Sequence, residues 1–347
     1  MQKLLILFVA IISCSFKSQN ISNEQVIFER IEYIFNLKTK IGNQIWKDFD
    51  TKKFDVPLIY YTDSSSYVAN PPKKFIQKFQ PFFVYGTKNV KIYKTKNRID
   101  NIPFHMETSM SSGDGAENDY NYNSPFMNCS SFEVTSKIVT DTHSTEYWTT
   151  MIMHEYFHGF QFKHKAFADN LTANIATVSE DSLKNIYKNE NWFSQKVNYE
   201  NKFLLKAMQA TTTIEINNNI DSFFVARKDR RAATKQKLKF DIDAYEKTYE
   251  TMEGTARYVE YKLQVLFATL QPDKKLAASD SSFHDYAEFK NYKIENDPWL
   301  YTTGKSYFYA TGFNIVRLLD KLGIEYKTRL FKDGQLSLEQ LLLTRKR

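Results

Sequence analysis

The spacing of hydrophobic positions divides the chain into a β-containing first part and a helical second part. Over residues 22–48 the apolar side chains recur at the three- and four-residue spacing of a helix. Short apolar runs bounded by turn residues follow, one at 56–62 and two within 81–93 that are separated at Gly86. A further run at 126–134 predicts another strand.

Beyond residue 164 the hydrophobic pattern is mostly helical. The stretch 165–198 is polar and irregular, and only a short helix at 180–188 is predicted there. Gly323 and Ser337 are the expected end of one later helix and the start of another. The predicted helices of this part have apolar positions at helical spacing and cover 199–211, 214–240, 243–267, 305–322 and 336–343.

The order of these elements indicates an α+β fold. Residues 20–164 are predicted to form an N-terminal subdomain that contains the strands, and residues 165–347 a mainly helical C-terminal subdomain. A helix that begins near Ser144 and ends soon after Phe162 stands between the two parts. It is therefore expected to form the floor of a cleft between them.

This central helix carries the clearest candidate chemistry. The segment Met151–Phe162 contains His-Glu-x-x-His in an almost wholly apolar run. His154 and His158 are four residues apart and project from the same helix face. Two neutral imidazoles in this arrangement can bind one zinc ion, and Glu155 beside them can act as a general base on water. A metal also explains why polar groups stand in an apolar helix, where they cost free energy unless satisfied.

Composition sets the size of the core and excludes two classes of protein. The chain has 347 residues, 16% of them aromatic, and a net charge of +7. This is enough for a large core and unlike a disordered chain. The charge is too diffuse to indicate nucleic-acid binding. A basic run from Arg227 to Lys239 is predicted to be a solvated helix face, with binding of an anionic substrate end as the alternative.

The first 19 residues have the pattern of an export signal peptide. A charged residue precedes an apolar run over 4–12, which is too short to span a membrane, and small and polar residues follow. Residues 11–14 also resemble a bacterial lipobox, which would place a lipid anchor on Cys14. We therefore expect an exported protein that is periplasmic, secreted or anchored at the cell surface. Cys129 is the only other cysteine, so no internal disulfide is expected after cleavage.

The central helix resembles the active-site helix of zinc metallopeptidases over about a dozen residues. Such sites use three protein ligands and leave one position for water. In the metzincin pattern the third ligand is a histidine six residues after the second, where His164 stands. That pattern also needs a glycine where this chain has Gln161. If the helix continues past His158, His164 is rotated by about 240° and lies ~9 Å further along the axis.

The segment 252–260 instead resembles the second metal helix of gluzincins. The resemblance implies that Glu253, which three small residues follow, is the third zinc ligand. Glu260, seven residues later, is then a suitable hydrogen-bond partner for a ligating histidine. The alternative is that the glutamates of this helix lie on a solvated face and bind no metal. The missing glycine and the helix geometry favour Glu253 over His164.

The resemblance implies a Zn²⁺-dependent hydrolase, above all a peptidase that acts on a peptide or protein substrate. Zinc lowers the pKa of bound water to about 7, Glu155 takes the proton, and the hydroxide attacks a polarised carbonyl. Tyr309 is the expected donor to the oxyanion. The resemblance also implies that the strand at 126–134 pairs with an extended peptide. Two alternatives remain open: a non-catalytic, metal-braced surface binding protein and a metal-dependent esterase or deacylase.

Overall fold

The structure, a computed structural model, describes residues 22–109, 125–175, 177–302 and 307–345. The predicted export leader at 1–19, including Cys14, lies outside these described residues. The fold is α+β with a mixed sheet and mostly helical content, as the sequence predicts. Within the described ranges no helix is both long enough and apolar enough to cross a membrane.

Six short strands of the described residues form one sheet. They are β1 (Leu58–Tyr61), β2 (Ser66–Ala69), β3 (Phe82–Gly86), β4 (Lys91–Lys94), β5 (Met106–Ser109) and β6 (Phe126–Ser130). Their spatial order is β3-β4-β2-β1-β6-β5, so β3 and β5 are the edges. Only β1 and β6 run parallel among these neighbours, and the other pairs are antiparallel. The predicted strands within 56–62 and 81–93 are thereby confirmed.

Helices make up most of the remaining described chain. They are α1 (Asn23–Ile45), α2 (Lys73–Phe79), α3 (Phe132–Ile138), α4 (Thr145–Phe162), α5 (Lys165–Ile175), α6 (Glu180–Asn189), α7 (Asn191–Gln209), α8 (Thr213–Leu238), α9 (Asp243–Phe267), α10 (Lys274–Ser279), α11 (Tyr307–Lys321) and α12 (Leu338–Leu343). Gly323 follows α11 with a φ of 64°, a left-handed conformation that suits the predicted stop. Ser337 caps α12 by accepting a hydrogen bond from the Gln340 backbone N–H at 3.3 Å.

The strand predicted within 126–134 is present as β6, but its predicted extent and its peptide-pairing position are wrong. It ends at Ser130, because the hydroxyl of Ser131 accepts from the backbone N–H of Val134 and starts α3. It also lies between β1 and β5, so it is not an edge strand. The edge on this side is β5, whose sequence Met-Glu-Thr-Ser lacks the apolar run that predicts a strand.

Within 165–198 the predicted short helix at 180–188 is confirmed by α6, but the prediction that the rest is irregular is wrong, because α5 and the start of α7 occupy it. These helices bury only a narrow face. In α6 that face holds Leu183 and Tyr187, and in α7 it holds Phe193 and Val197. Within 165–198 each of these two helices buries only two apolar residues four positions apart, which are too few to stand out in a polar sequence.

The basic run of α8 is solvated only in part, because Lys228, Lys235, Lys237 and Lys239 are exposed as predicted but two of its arginines are buried. Arg227 and Arg230 are 2% and 0% exposed. Arg230 donates to Glu200 at 2.6 Å and to Glu246 at 2.7 Å. Arg227 donates to Glu250 at 2.6 Å. The two arginines therefore tie α8 to α7 and α9 through a buried ionic network, and their charges are balanced rather than solvated.

Candidate metal centre

The central helix α4 begins where Ser144 accepts a hydrogen bond from the backbone N–H of Tyr147 at 3.1 Å. One face of α4 packs against α9. His154 and His158 lie on that face, 7% and 5% exposed, with ring centroids 5.0 Å apart. The predicted helix therefore has both histidines directed at the segment that carries Glu253.

Three predicted side chains converge between α4 and α9. The Oε2 atom of Glu253 lies 3.3 Å from Nε2 of His154 and 3.3 Å from Nε2 of His158. One possible ligand atom from each residue lies within 4.8 Å of the others, and no second group of this kind is found among the described residues. A set of two imidazole nitrogens and one carboxylate oxygen suits zinc, which is bound by these atom types at about 2.0–2.2 Å.

Glu260 contacts the His154 imidazole at the nitrogen that does not face Glu253. Its Nδ1 atom lies 3.4 Å from Oε2 of Glu260, the residue predicted for this contact. Glu260 in turn pairs with NH1 of Arg257 at 3.0 Å, and Arg257 also donates to Asp297. A carboxylate behind a ligating histidine fixes the ring and leaves its other nitrogen for a metal. The glutamates of α9 are thus buried, and the alternative of a solvated face is wrong.

The carboxylate of Glu253 is buried between two imidazoles, where positive charge on the neighbouring groups stabilises it. Burial alone would raise the pKa of Glu253, but His158 and His154 hold it far below its usual value. Burial alone would lower the pKa of His154, yet hydrogen bonds to Glu253 and Glu260 raise it to about 10. The pKa of His158 is raised by the charge of Glu253 against the same effect of burial. Protons on the imidazoles or a cation between them can supply that charge.

Glu155 lies beside the three converging groups. Its Oε2 atom accepts a hydrogen bond from the backbone N–H of Thr108 in β5 at 3.2 Å. The Thr108 hydroxyl donates to the backbone carbonyl of Glu155. Burial raises the pKa of the Glu155 carboxyl. As a residue Glu155 is partly exposed, whereas both histidines are buried.

His164 is turned away from the other histidines, as expected for a helix that continues past His158. Its Nδ1 donates to the backbone carbonyl of Phe160 at 2.8 Å. Its ring stacks on Phe54 with centroids 4.6 Å apart. The side chain is therefore partly buried against aromatic rings and does not reach His154 and Glu253.

Tyr309 of α11 lies close to the converging groups. Its ring stacks on that of His154 with centroids 6.0 Å apart and an interplanar angle of 16°. Burial, together with the negative charge of Glu253, raises the pKa of the Tyr309 phenol well above its ordinary value. The hydroxyl therefore keeps its proton at neutral pH and can act as a hydrogen-bond donor.

Three contributors to this site were not identified from the sequence as partners of its residues. Thr108 belongs to the strand that the apolar pattern does not reveal. Arg257 precedes its partner Glu260 by three residues on α9, and this i, i+3 spacing is visible in the sequence. For Gln161 the sequence indicates only a departure from the metzincin pattern, and it does not predict a contact with His158. No family model, no curated protein and no solved structure matches this chain.

Proposed function

We propose that the chain is a zinc-dependent hydrolase of the gluzincin type, with a zincin-like arrangement of its helices, and that it cleaves peptide bonds. The observation that carries this proposal is the convergence of His154, His158 and Glu253 at 3.3 Å beside Glu155. A purely structural zinc site is closed by its protein ligands and has no use for a further, unbound carboxylate beside them. Glu155 therefore favours a hydrolase over a metal-braced binding protein.

The two histidines and Glu253 would hold the ion. Zinc supplies Lewis acidity, which polarises a carbonyl oxygen and makes water more acidic. Glu155 is the group that accepts the proton of the attacking water, because it directly follows His154 and its carboxyl lies beside the three converging groups. The same carboxyl then returns the proton to the leaving amine. The Thr108 hydroxyl, which donates to the backbone carbonyl of Glu155, holds this part of α4 against β5 during both steps.

Tyr309 is the proposed donor to the developing oxyanion. Its ring is held between His154 at 6.0 Å and Trp299 at 5.3 Å. A donor fixed in this way stabilises negative charge without having to reorganise during the reaction. The raised pKa of Tyr309 keeps the phenol protonated, which the role requires.

We assign the peptide-pairing role to β5 instead of the segment 126–134. β5 is the edge strand next to α4, and its Thr108 contacts Glu155. The backbone N–H of Met106 donates to the Glu107 carboxylate and that of Thr108 to Glu155, so neither pairs with a neighbouring strand. An extended substrate along this edge would exchange these carboxylate contacts for strand pairing.

Export remains part of the proposal. The leader pattern of residues 1–19 implies either cleavage near Gln19 or a lipid on Cys14. Intact mass of the protein recovered from its native host distinguishes the two, because the lipidated form starts at Cys14 and carries acyl chains. A mass that includes residues 1–13 would contradict export by either route.

The proposed activity is tested by metal analysis together with digestion of a peptide library. The purified chain should contain one zinc ion, and a chelator should abolish cleavage. Glu253→Gln should lose the metal, whereas His164→Asn should keep it, because His164 faces Phe54. Zinc without cleavage of any peptide would leave a binding protein, and cleavage of esters alone would leave an esterase. Loss of zinc in His164→Asn and its retention in Glu253→Gln would overturn the ligand assignment.

A further inference from the structure

Gln161 joins the two metal-carrying helices through all of its polar atoms. It is 0% exposed and follows His158 by three residues, so both side chains lie on one helix face. Its Oε1 atom lies 2.8 Å from Nδ1 of His158. Its Nε2 atom donates to the backbone carbonyl of Met252 at 2.9 Å and to the Thr255 hydroxyl at 2.7 Å. Met252 and Thr255 stand on either side of Glu253.

The groups of α9 that Gln161 contacts determine which atom donates in each of these hydrogen bonds. The Thr255 hydroxyl donates to the backbone carbonyl of Thr251 at 2.7 Å, so it can only accept from Gln161. The Met252 carbonyl can only accept as well. The amide nitrogen of Gln161 must therefore face α9, because a flipped amide would place its oxygen against two acceptors.

The orientation of Gln161 then determines the tautomer of His158. Its amide oxygen faces Nδ1 of His158 and accepts, so Nδ1 must carry a hydrogen. In a neutral imidazole the other nitrogen, Nε2, has the free lone pair. That nitrogen is the one 3.3 Å from Glu253. A neutral His158 is thus held in the form in which Nε2 can bind a metal.

We infer that Gln161 is a positioning residue, which sets the ligating nitrogen of His158 and fixes the stretch of α9 that presents Glu253. The inference rests on the proposed zinc site. It also explains the departure from the metzincin pattern. A glycine at this position lets the chain turn back to bring in a third histidine, whereas the glutamine continues the helix and reaches across to the helix that carries a glutamate.

The test is zinc affinity, measured by competition with a chelator on the full-length chain. Gln161→Met has a side chain of similar length but cannot hydrogen-bond, and we expect zinc affinity to fall by about 10–100-fold. Gln264→Met is the matched control, since Gln264 is 3% exposed and lies on α9 outside the three converging groups. It should bind zinc as tightly as the unsubstituted chain. Equal affinity of Gln161→Met and the unsubstituted chain would overturn the inference.

Gln161→Glu separates the two halves of the proposed role. Unlike Gln161→Met, it keeps an acceptor for Nδ1 of His158, but it loses both hydrogen bonds that the amide nitrogen donates to α9. We expect its zinc affinity to exceed that of Gln161→Met, while its unfolding free energy in chelator stays below that of the unsubstituted chain. A side chain that only packs would give the opposite order, because the apolar methionine suits a buried site better than a carboxylate.

A measurement on the unsubstituted protein covers the case in which the variants do not fold. In the zinc-loaded chain, the nitrogen NMR signals of His158 should show hydrogen on Nδ1. Hydrogen on Nε2 instead would overturn the inference while leaving the proposed function in place. If the unsubstituted chain binds no zinc, the proposed function and this inference both fail. The NMR result, by contrast, can contradict the inference alone, so the two failures are distinguishable.

Discussion

Gly254 of α9 and Gly312 of α11 meet backbone to backbone. A Cβ atom added to Gly254 would lie 2.4 Å from the carbonyl carbon of Gly312, and one added to Gly312 would lie 2.2 Å from the carbonyl oxygen of Glu250. Glu253 directly precedes the first glycine, and Tyr309 stands one helical turn before the second. The close contact of α9 with α11 therefore sets the distance between the Tyr309 phenol and Glu253, the proposed metal ligand. The small residues after Glu253 serve this approach to α11.

Gly312→Ala should separate the two helices. We expect a loss of about 1–3 kcal/mol in the free energy of unfolding, as for other overpacked contacts, and a loss of turnover beyond what this destabilisation explains. Gly323→Ala is the control. Its positive φ of 64° costs a similar amount, about 1–2 kcal/mol, but nothing lies within 4 Å of the added Cβ. Equal turnover of the two variants would contradict a positioning role for the glycine contact.

Arg230→Met should leave two buried carboxylates, Glu200 and Glu246, without their main partner. Breaking a buried pair from one side costs about 3–5 kcal/mol. Urea unfolding measures this loss directly. Lys235→Met is the comparison, because Lys235 pairs with Asp241 on the surface with 70% of its side chain exposed, and it should cost less than about 0.5 kcal/mol. Similar costs for both variants would mean that the network of α8 contributes no more than a surface pair.

The same network predicts a loss of stability in acid. Burial alone would raise the pKa of Glu246, but Arg230 and Arg231 hold it well below the ordinary 4.5. The pKa of Glu339 is lowered in the same way by Arg227 and Arg231. A carboxyl with a depressed pKa stabilises the fold above its ordinary value and loses that contribution as the pH falls.

We therefore expect the free energy of unfolding to decrease as the pH drops below 4.5. Glu250 acts in the opposite sense, because burial raises its pKa, so it reduces the slope that Glu246 and Glu339 produce. The slope should be smaller in Arg230→Met. An unchanged slope in that variant would assign the acid sensitivity to other groups.

Tyr309→Phe should keep the zinc content and lower turnover by about 10²–10³-fold, the usual effect of removing one oxyanion donor. The ring contact with His154 is retained, so the change isolates the hydroxyl. Tyr199→Phe, at a residue 55% exposed on α7, is the control and should leave turnover unchanged. If both variants are fully active, Tyr309 only packs against His154, and another group stabilises the oxyanion.

The sequence predicts those parts of the site that lie on regular helices. His154 and His158 follow from their spacing, and the position of Glu253 follows from a helix pattern resembling that of gluzincins. The sequence does not predict the position of Thr108, because β5 lacks the apolar pattern of a strand. It is a strand because it pairs with β6. The burial of Arg227 was missed because a run of charges gives no information on the carboxylates that other helices bring to it.

The most direct test of the proposed hydrolase is the turnover of zinc-loaded Glu155→Gln. The substitution preserves size and the acceptor for Thr108 but removes the base. We expect one zinc per chain and turnover lower by about 10²–10⁴-fold. Glu146→Gln is the matched control on the same helix, because Glu146 is buried and accepts from the backbone of His284 and Tyr286. It should remain active. Unchanged turnover in Glu155→Gln would contradict the proposed chemistry, and loss of zinc would make Glu155 a ligand instead.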